Sequence, residues 1–210
     1  MTPCLILIAG PSSSGKSTLA EALAAHLGQA SVSILSLDNY YRDLSHLSHA
    51  ARERHNFDEP NAWEHERIIL EMQALNRGQS IQYPQYDFSK HLRKPTDKTL
   101  LSNHYIIAEG LFALCFEALN AIAQIRIFID LDDACALERR VHRDVNQRGR
   151  SRASVLQQFN ETVRPSNQKY VQPSARAAQF HSDGRQPVTV QIDRLIRHFP
   201  QLGETATSYP

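Results

Sequence analysis

A glycine- and serine-rich segment near the start of the chain has the composition and spacing of a phosphate-binding loop. Residues 10–17 read GPSSSGKS and match every fixed position of the pattern G-x-x-x-x-G-K-[ST]. The glycines of this pattern let backbone N–H groups wrap a phosphate closely, and the helix that follows adds the positive end of its dipole. The predicted triphosphate-binding residues are Gly10, Pro11, Ser12, Ser13, Ser14, Gly15, Lys16, Ser17 and Thr18.

Two residues at the end of this loop would act directly on the phosphates and on a metal ion. The lysine of the pattern reaches the β- and γ-phosphates, and the hydroxyl after it ligates Mg²⁺. Lys16 and Ser17 hold these positions. We therefore expect Mg²⁺ to bind together with ATP or GTP as the phosphate donor. The alternative is a turn without a ligand, which the apolar run before it and the helical pattern after it do not favour.

Two carboxylates follow apolar runs that are typical of buried strands. Asp38 comes after the run at 34–37, and Glu109 comes after the run at 105–108. In a parallel sheet the carboxyl ends of the strands form the ligand-binding edge, so both should lie beside Gly10. Asp38 could orient or deprotonate an acceptor hydroxyl, and Glu109 could hold Mg²⁺ or its water shell. A turn cap for Asp38 and a structural ion pair for Glu109 are the alternatives.

Six arginines fall within fourteen positions of the second half of the chain. On a helix several of them are spaced i, i+4, where like charges repel unless an anion lies between them. This favours a lid that closes over a transferring phosphate; a solvated basic face or an RNA contact are the alternatives. The formal net charge of +1 argues against a general nucleic-acid binder. The arginines are Arg139, Arg140, Arg143, Arg148, Arg150 and Arg152.

Residues 82–93, QYPQYDFSKHLR, have the composition of a site for a flat polar ring. Tyr86 and Phe88 could stack on such a ring, and His91 could hydrogen-bond to its edge. The alternative is an ordinary β-turn segment whose aromatic side chains are simply buried. Asp58 precedes a predicted helix in the segment NFDEP, so helix capping and ligand binding are both open for it.

Strand and helix patterns alternate along the chain. We predict strands at 4–9, 34–37, 105–108 and 125–129, and helices starting near 17 and covering 61–77, 133–148 and 151–163. Residues 188–192 alternate apolar and polar side chains, which predicts an edge strand with one wet face. The predicted fold is α/β: a P-loop NTPase-type, mostly parallel sheet flanked by helices, with an arginine-rich helical lid and a small acceptor-side insertion.

Length and composition indicate one globular domain. The chain has 210 residues, of which 41% are hydrophobic and 21% charged. We expect a single domain at 1–200, with an acceptor-side segment at about 39–100 and a lid at about 139–152, followed by a polar tail at 201–210. The three cysteines lack the spacing of a disulfide framework or a zinc site. Without a targeting or membrane-spanning pattern, we expect a cytoplasmic protein with no membrane partner.

Several separated segments together make the sequence similar to one family. They read GPSSSGKST, SLDNYYRD, NFDEPNAWE, YPQYDFSKHLR, IAEGLFAL, RRVHRDVNQRGRS and VLQQFNETVRP. In this order they resemble the uridine kinases (uridine–cytidine kinases) of the P-loop kinase fold, from about Leu5 to Pro173. The resemblance implies transfer of the ATP γ-phosphate to the 5′-hydroxyl of uridine or cytidine, a reaction of pyrimidine salvage. It also implies a homodimer or homotetramer.

The resemblance assigns catalytic roles to Asp38, Arg143 and Arg148, a nucleoside-binding role to Tyr41 and a metal-binding role to Glu109. Asp38 matches the catalytic base of the family, and Tyr41 lies beside it. Arg143 and Arg148 match arginines of the lid, and Glu109 matches a carboxylate on the metal side. Each role is an expectation at this point, and each is carried over only where the residue type matches.

The resemblance also assigns a nucleoside site. Asp58, helped by Arg140, matches the residue that binds the ribose hydroxyls. Tyr86 and His91 match the residues that recognise the pyrimidine, with Phe88 in the wall.

Two further residues of the lid region complete this nucleoside site. Arg150 matches the last arginine of the lid, which also faces the base, and Gln158 matches a glutamine eight residues after it. The expected partners are therefore a nucleoside and a nucleoside triphosphate. A kinase for a different riboside or a ribose phosphate, and an inactive nucleotide-binding regulator, are the alternative functions.

The chain departs from the family pattern at 177–187, AAQFHSDGRQP. Uridine kinases have an apolar strand and a glycine-rich turn here, whereas this segment has few apolar residues and one glycine. The departure leaves the last parallel strand and the preference for ATP or GTP open.

Overall fold

The computed structural model describes residues 2–96 and 98–203. Its strands alternate with helices for most of the chain, as the sequence predicts. In chain order the strands are β1 (Cys4–Ala9), β2 (Val32–Ser36), β3 (Ile81–Gln82), β4 (Gln85–Asp87), β5 (Leu92–Lys94), β6 (Thr99–Leu100), β7 (Tyr105–Glu109), β8 (Ile125–Asp130) and β9 (Phe180–Asp183).

Helices cover both faces of the sheet. Two π-helical turns, at Phe159–Val163 and Asn167–Val171, join the sixth helix to the seventh and the seventh to the eighth, so the chain stays helical from 152 to 177. The α-helices are α1 (Lys16–Leu27), α2 (His49–Glu53), α3 (His65–Asn76), α4 (Glu117–Ile122), α5 (Asp133–Arg148), α6 (Arg152–Gln158), α7 (Arg164–Ser166), α8 (Gln172–Ser174) and α9 (Val188–His198).

The central sheet has five parallel strands in the order β2-β7-β1-β8-β9. Alternate residues of β1 are buried on opposite faces. Leu5 and Leu7 belong to a core that includes α3 and α4, while Ile6 and Ile8 belong to a core that includes α1 and α9. The predicted α/β fold is therefore confirmed, and all five carboxyl ends lie along one edge.

The prediction of an edge strand at 188–192 is wrong, because these residues begin α9. A five-residue alternating pattern fits both the two-residue period of a strand and the 3.6-residue period of a helix. Val188, Ile192 and Leu195 are spaced as one helical face and pack onto the sheet. The last parallel strand is instead β9, inside the segment where the chain departs from the uridine kinase pattern. Phe180 and Ser182 are its buried residues, and its partner is β8.

The predicted helix at 61–77 is shorter than expected. Pro60–Ala62 forms a 3₁₀ turn, and α3 begins only at His65. Trp63 therefore lies outside the helix, where it is fully buried in the core and its backbone forms a β-bridge with Tyr41.

Two small antiparallel pairs, β3 with β6 and β4 with β5, lie within the predicted acceptor-side segment. At the other end of the chain, the first residues of the predicted polar tail form a 3₁₀ turn, Pro200–Leu202, in which Leu202 is buried. The rest of that tail, 204–210, lies outside the described residues. Over the part of the chain that is described, none of the helices combines the length and the apolar character needed to cross a membrane.

Candidate active site

The sheet register brings the predicted carboxylates and the loop to one place. Glu109, at the end of β7, is paired in register with Ser36 of β2 on one side and with Ile8 of β1 on the other. Asp38 follows β2 by two residues and the loop follows β1, so the two flank Glu109.

A cavity of about 410 Å³ opens at this edge. It is lined by predicted residues of the phosphate loop, the acceptor-side segment and the lid, together with the two strand-end carboxylates. Gly10, Pro11 and Ser14 of the predicted loop do not line it. The predicted residues that line it are Ser12, Ser13, Gly15, Lys16, Ser17, Thr18, Asp38, Tyr41, Asp58, Tyr86, Phe88, His91, Glu109, Arg140, Arg143, Arg148, Arg150 and Gln158.

The conformation of the loop depends on its two glycines. A Cβ atom on Gly10 would lie 2.6 Å from the carbonyl oxygen of Ile129, a contact that no side chain can make. Gly15 has a φ of 96° at the start of α1, in the left-handed region that glycine adopts without strain. The loop thus leads directly into the N-terminus of a helix, where backbone N–H groups are free to bind an anion.

Lys16 is folded over this loop. Its Nζ donates hydrogen bonds to the carbonyl oxygens of Gly10 at 3.0 Å and Pro11 at 2.9 Å. Burial lowers the pKa of Lys16, while the negative charges of Glu109 and Asp38 act in the opposite direction. The ammonium group is therefore held between the phosphate loop and the carboxylates of Asp38 and Glu109.

Asp38 and Glu109, the carboxylates at the carboxyl edge of the sheet, are in different hydrogen-bonding environments. Glu109 accepts a hydrogen bond of 3.1 Å from the Ser17 hydroxyl, whereas Oδ1 of Asp38 is buried without a hydrogen-bond partner. Burial raises the pKa of both carboxyl groups, and the charge of Asp38 raises that of Glu109 further. Lys16 lowers the pKa of both. An unpaired buried acceptor of this kind is suited to a hydroxyl group of a ligand.

Ser17 and Glu109 together suit Mg²⁺. Both offer hard oxygen ligands, and Mg²⁺ is usually held by one or two carboxylates together with the phosphates of a substrate. Across residues 2–96 and 98–203, no group of three or more His, Cys, Asp and Glu side chains is placed to hold a metal ion. The donor set thus fits a metal that arrives with a nucleotide rather than one held by the protein alone.

The predicted lid contains an acidic residue that the sequence reasoning missed. Asp144 lies on α5, and its side chain is fully buried among Arg140, Arg143, Arg148 and Arg150. The expected repulsion among the arginines is therefore relieved within the chain itself, where only a bound triphosphate had been considered. The signal was available in the spacing, since Asp144 lies four residues from both Arg140 and Arg148.

The remaining arginines of the cluster lie away from this carboxylate. Nη1 of Arg139 donates a 2.9 Å hydrogen bond to the carbonyl oxygen of Gly184, just after β9. Arg152 is exposed at the start of α6. Arg139 also lines the cavity, and it connects the lid helix to the segment 177–187.

The predicted ribose site is built on the long helical segment after the lid. Asp58 is buried, and its Oδ2 accepts a 2.8 Å hydrogen bond from the Thr162 hydroxyl. Its backbone carbonyl accepts a hydrogen bond from the Ser166 hydroxyl. Both partners were missed, because packing between segments far apart in the sequence brings them to Asp58.

Gln158 connects two arginines of the lid. Its Oε1 accepts hydrogen bonds from Nη2 of Arg140, at 3.1 Å, and from Nη1 of Arg150. Nη1 of Arg140 also donates to the Ser12 hydroxyl of the phosphate loop at 2.9 Å. Burial lowers the pKa of Arg140, and the charges of Asp58 and Asp144 oppose that effect. This guanidinium thus lies between the loop and the predicted nucleoside site.

Aromatic rings form one wall of the cavity. The ring of Tyr86 lies 5.3 Å from that of Tyr41 and 5.4 Å from that of Phe88, and His91 stacks on Phe57 at 4.8 Å. Tyr86 is buried, while Phe88 is 41% exposed at the rim. Phe57 is a wall residue that the sequence reasoning missed, although it is adjacent to Asp58 in the sequence.

Comparisons with known proteins agree with this geometry. Residues 5–184 match the model of the "Phosphoribulokinase / Uridine kinase family". The chain is 35% identical to a uridine kinase of Chloroflexus aurantiacus over 192 residues, covering 90% of this chain and 92% of that protein. It is 38% identical to a uridine kinase of Brevibacillus brevis over 176 residues, covering 84% and 82%.

A solved structure supports the same fold. That of a possible uridine kinase from Bacillus stearothermophilus superposes with a TM-score of 0.63 at 17% identity, covering 87% of this chain and 90% of that chain.

Proposed function

Because this chain belongs to the phosphoribulokinase/uridine kinase family, we propose that it phosphorylates uridine and cytidine at the 5′-hydroxyl. Its relatives are uridine kinases, so the chain is a phosphotransferase of the P-loop kinase fold. The acceptor, the metal and the role of each side chain are the parts that we infer. The product would be UMP or CMP, which places the reaction in pyrimidine salvage.

One observation carries the proposal. Asp38 lines the cavity that contains both Lys16 and the aromatic wall, and its Oδ1 is buried without a hydrogen-bond partner. An acceptor hydroxyl placed between the loop and the wall would meet this carboxylate. Burial raises the pKa of Asp38, which makes its carboxylate a stronger base than an exposed aspartate.

The phosphoryl transfer follows from these positions. The 5′-oxygen of the nucleoside attacks the γ-phosphorus, and its proton passes to Asp38. The bond between the γ-phosphorus and the β,γ-bridging oxygen breaks, and the nucleoside diphosphate leaves. Lys16 stabilises the charge on the β- and γ-phosphates, since a phosphate oxygen is a stronger acceptor than the neutral carbonyls that Lys16 now contacts.

The lid and the metal site would stabilise the same charge. Arg143 and Arg148 line the cavity on the lid side and would contact the transferring phosphoryl group. Ser17 and Glu109 would hold Mg²⁺, which when bound neutralises charge on the phosphate oxygens. Closure of the lid over both substrates would exclude water and limit idle hydrolysis of the triphosphate.

The nucleoside would lie between the long helical segment and the aromatic wall. Asp58 would accept hydrogen bonds from the ribose hydroxyls, helped by Arg140. The base would lie against Tyr86 and Phe88, with His91 at its edge. These side chains suit a flat, uncharged ring, and a phosphorylated acceptor would need a further anion site.

The test is Mg²⁺-dependent release of ADP from ATP with a panel of acceptors: uridine, cytidine, adenosine, nicotinamide riboside and ribulose 5-phosphate. Turnover with uridine and cytidine alone, with the 5′-phosphate identified by ³¹P NMR, is the expected result. Turnover only with another acceptor would retain the kinase reaction and overturn the pyrimidine site. ATP binding without turnover on any acceptor would overturn the kinase activity and favour a nucleotide-binding regulator.

A further inference from the structure

The most buried charge of the lid is Asp144, and it is the meeting point of four arginines. Its side chain is 0% exposed. Oδ1 lies 2.9 Å from Nε of Arg143 and 3.4 Å from Nη1 of Arg148, while Oδ2 lies 3.5 Å from Nε of Arg140 and 3.7 Å from Nη1 of Arg150. These contacts are made within the chain, so the convergence of the arginines does not require a bound anion.

The backbone of Asp144 has a second role in the same region. Its carbonyl oxygen accepts hydrogen bonds from the backbone N–H groups of Gly149 and Arg150, the latter at 3.1 Å. The residue therefore fixes both the end of α5 and the turn into α6. The arginines from these two elements are thus positioned relative to one another by a single residue.

The charges are arranged so that the arginines stay available to a ligand. A fully buried carboxylate is costly unless it is paired, which holds the guanidinium groups around it. One carboxylate cannot neutralise four of them, so the cluster remains positive. Arg143, Arg148 and Arg150 keep 29%, 42% and 32% of their side chains exposed, and all three line the cavity.

We propose that Asp144 is the positioning residue of the arginine lid. It holds the guanidinium groups converged on the place where the phosphoryl group is transferred, so that little reorganisation is needed when charge develops there. This inference rests on the proposed phosphotransfer, because it concerns the same arginines. Asp144 itself would touch neither substrate.

The kinetic test compares Asp144→Asn with Glu138→Gln. The first variant keeps the shape of the side chain and removes its charge, and the second removes an exposed carboxylate of the same helix. We expect Asp144→Asn to lower kcat about 10²-fold, since misplaced catalytic groups cost rates of that order, while the Kd for ATP changes less than about threefold. Glu138→Gln should match the wild type in both.

Two kinetic outcomes would contradict the proposal. A folded Asp144→Asn protein with kcat within about threefold of the wild type would show that the arginines need no such anchor. Tighter ATP binding with unchanged kcat in Asp144→Asn would show that Asp144 only repels the phosphates of the nucleotide and does not position the arginines. A wild type inactive on every acceptor would instead remove the proposed function, and the following measurement would still decide the role of Asp144.

That measurement is made on the nucleotide-free wild type and does not depend on the folding of Asp144→Asn. Arginine Nε–H signals are recorded by ¹H–¹⁵N NMR, and that of Arg143 is assigned with Arg143→Lys. A sharp, shifted, slowly exchanging Arg143 signal is expected, because Asp144 holds this group at 2.9 Å. A signal that becomes ordered only after addition of ADP would mean that the nucleotide, not Asp144, positions the arginines.

Discussion

The hydroxyl of Thr162 donates a 2.8 Å hydrogen bond to Oδ2 of Asp58, a residue 104 positions earlier in the chain. Asp58 is 6% exposed, so the orientation of its carboxylate is set by this contact rather than by water. The other carboxylate oxygen of Asp58, Oδ1, is the one that would face a ribose. The geometry of the predicted ribose site thus depends on a residue in a π-helical turn.

Thr162→Val should weaken nucleoside binding. A hydrogen bond to a charged group contributes about 1.5–3 kcal/mol, so we expect KM for the nucleoside to rise about tenfold or more while KM for ATP is retained. Initial-rate kinetics with each substrate varied in turn measures this difference. Thr162→Ser keeps the hydroxyl and serves as the control. An unchanged nucleoside KM in the valine variant would show that Asp58 does not need this partner.

Asp38→Asn should abolish most of the turnover without loss of nucleotide binding. The amide cannot accept the proton of the 5′-hydroxyl, so we expect kcat to fall roughly 10²–10⁴-fold. Single-turnover phosphorylation and ATP titration by calorimetry measure the two effects separately. Asp43→Asn, at an exposed aspartate of the same segment, is the matched control. Near-normal turnover of Asp38→Asn would exclude Asp38 as the base.

Tyr86→Ala should affect the nucleoside far more than the nucleotide. Loss of the ring removes a large contact surface, which we expect to raise the nucleoside KM about tenfold or more. Tyr86→Phe keeps the ring and removes only a hydroxyl that is buried without a hydrogen-bond partner, so comparison of the two variants separates the contribution of the ring from that of the hydroxyl. Equal increases in KM for both substrates would argue against base recognition.

The stability of the protein should also depend on Asp38 in a direction set by its pKa. Burial raises that pKa in the folded state, so the folded protein binds the proton more tightly than the unfolded chain does. Ionisation therefore lowers the free energy of unfolding. This loss of stability is absent at pH values below the ordinary aspartate pKa of about 3.9, and it is complete at pH values above the raised pKa of the folded state. Asp38→Asn should raise Tm at pH 8 and leave it nearly unchanged at pH 4.

Asp43→Asn provides a control of opposite sign for the same measurement. The Ser45 hydroxyl holds the pKa of Asp43 below its usual range, so the ionised form stabilises the folded state above the ordinary pKa. The variant should have a slightly lower Tm at pH 8, since the group is exposed. Thermal melts in matched buffers distinguish the two. A lower Tm for Asp38→Asn at pH 8 would contradict the buried, unpaired state of its carboxylate.

The phosphate loop and the two strand-end carboxylates could be predicted to lie together because short local patterns carry them. The loop is contiguous, and Asp38 and Glu109 follow strongly apolar strands, so the parallel sheet alone brings them together. Residues 188–192 were misassigned because five residues cannot distinguish a two-residue period from a helical face. The strand β9 was left open because it has only one strongly apolar residue, Phe180.

The supporting residues were missed for another reason: their roles arise from packing between distant segments. Thr162 contacts Asp58 across 104 positions of the sequence, from a π-helical turn that packs beside it. No role was predicted for Asp144 from the sequence, and its complete burial follows from the way α5 packs against α6 and the phosphate loop. The i, i+4 spacing of Asp144 indicates its pairing with Arg140 and Arg148 but not its burial, and no local pattern indicates the contact between Thr162 and Asp58.

The uninterrupted helical segment from 152 to 177 carries both Gln158, which holds Arg140 and Arg150, and Thr162, which holds Asp58. The predicted acceptor site and the lid are therefore attached to one continuous helical segment, one helical turn apart. Thermodynamic reciprocity then applies. If a bound nucleoside changes the affinity for the nucleotide by some factor, a bound nucleotide must change the affinity for the nucleoside by the same factor. The order in which the two substrates bind does not alter that factor.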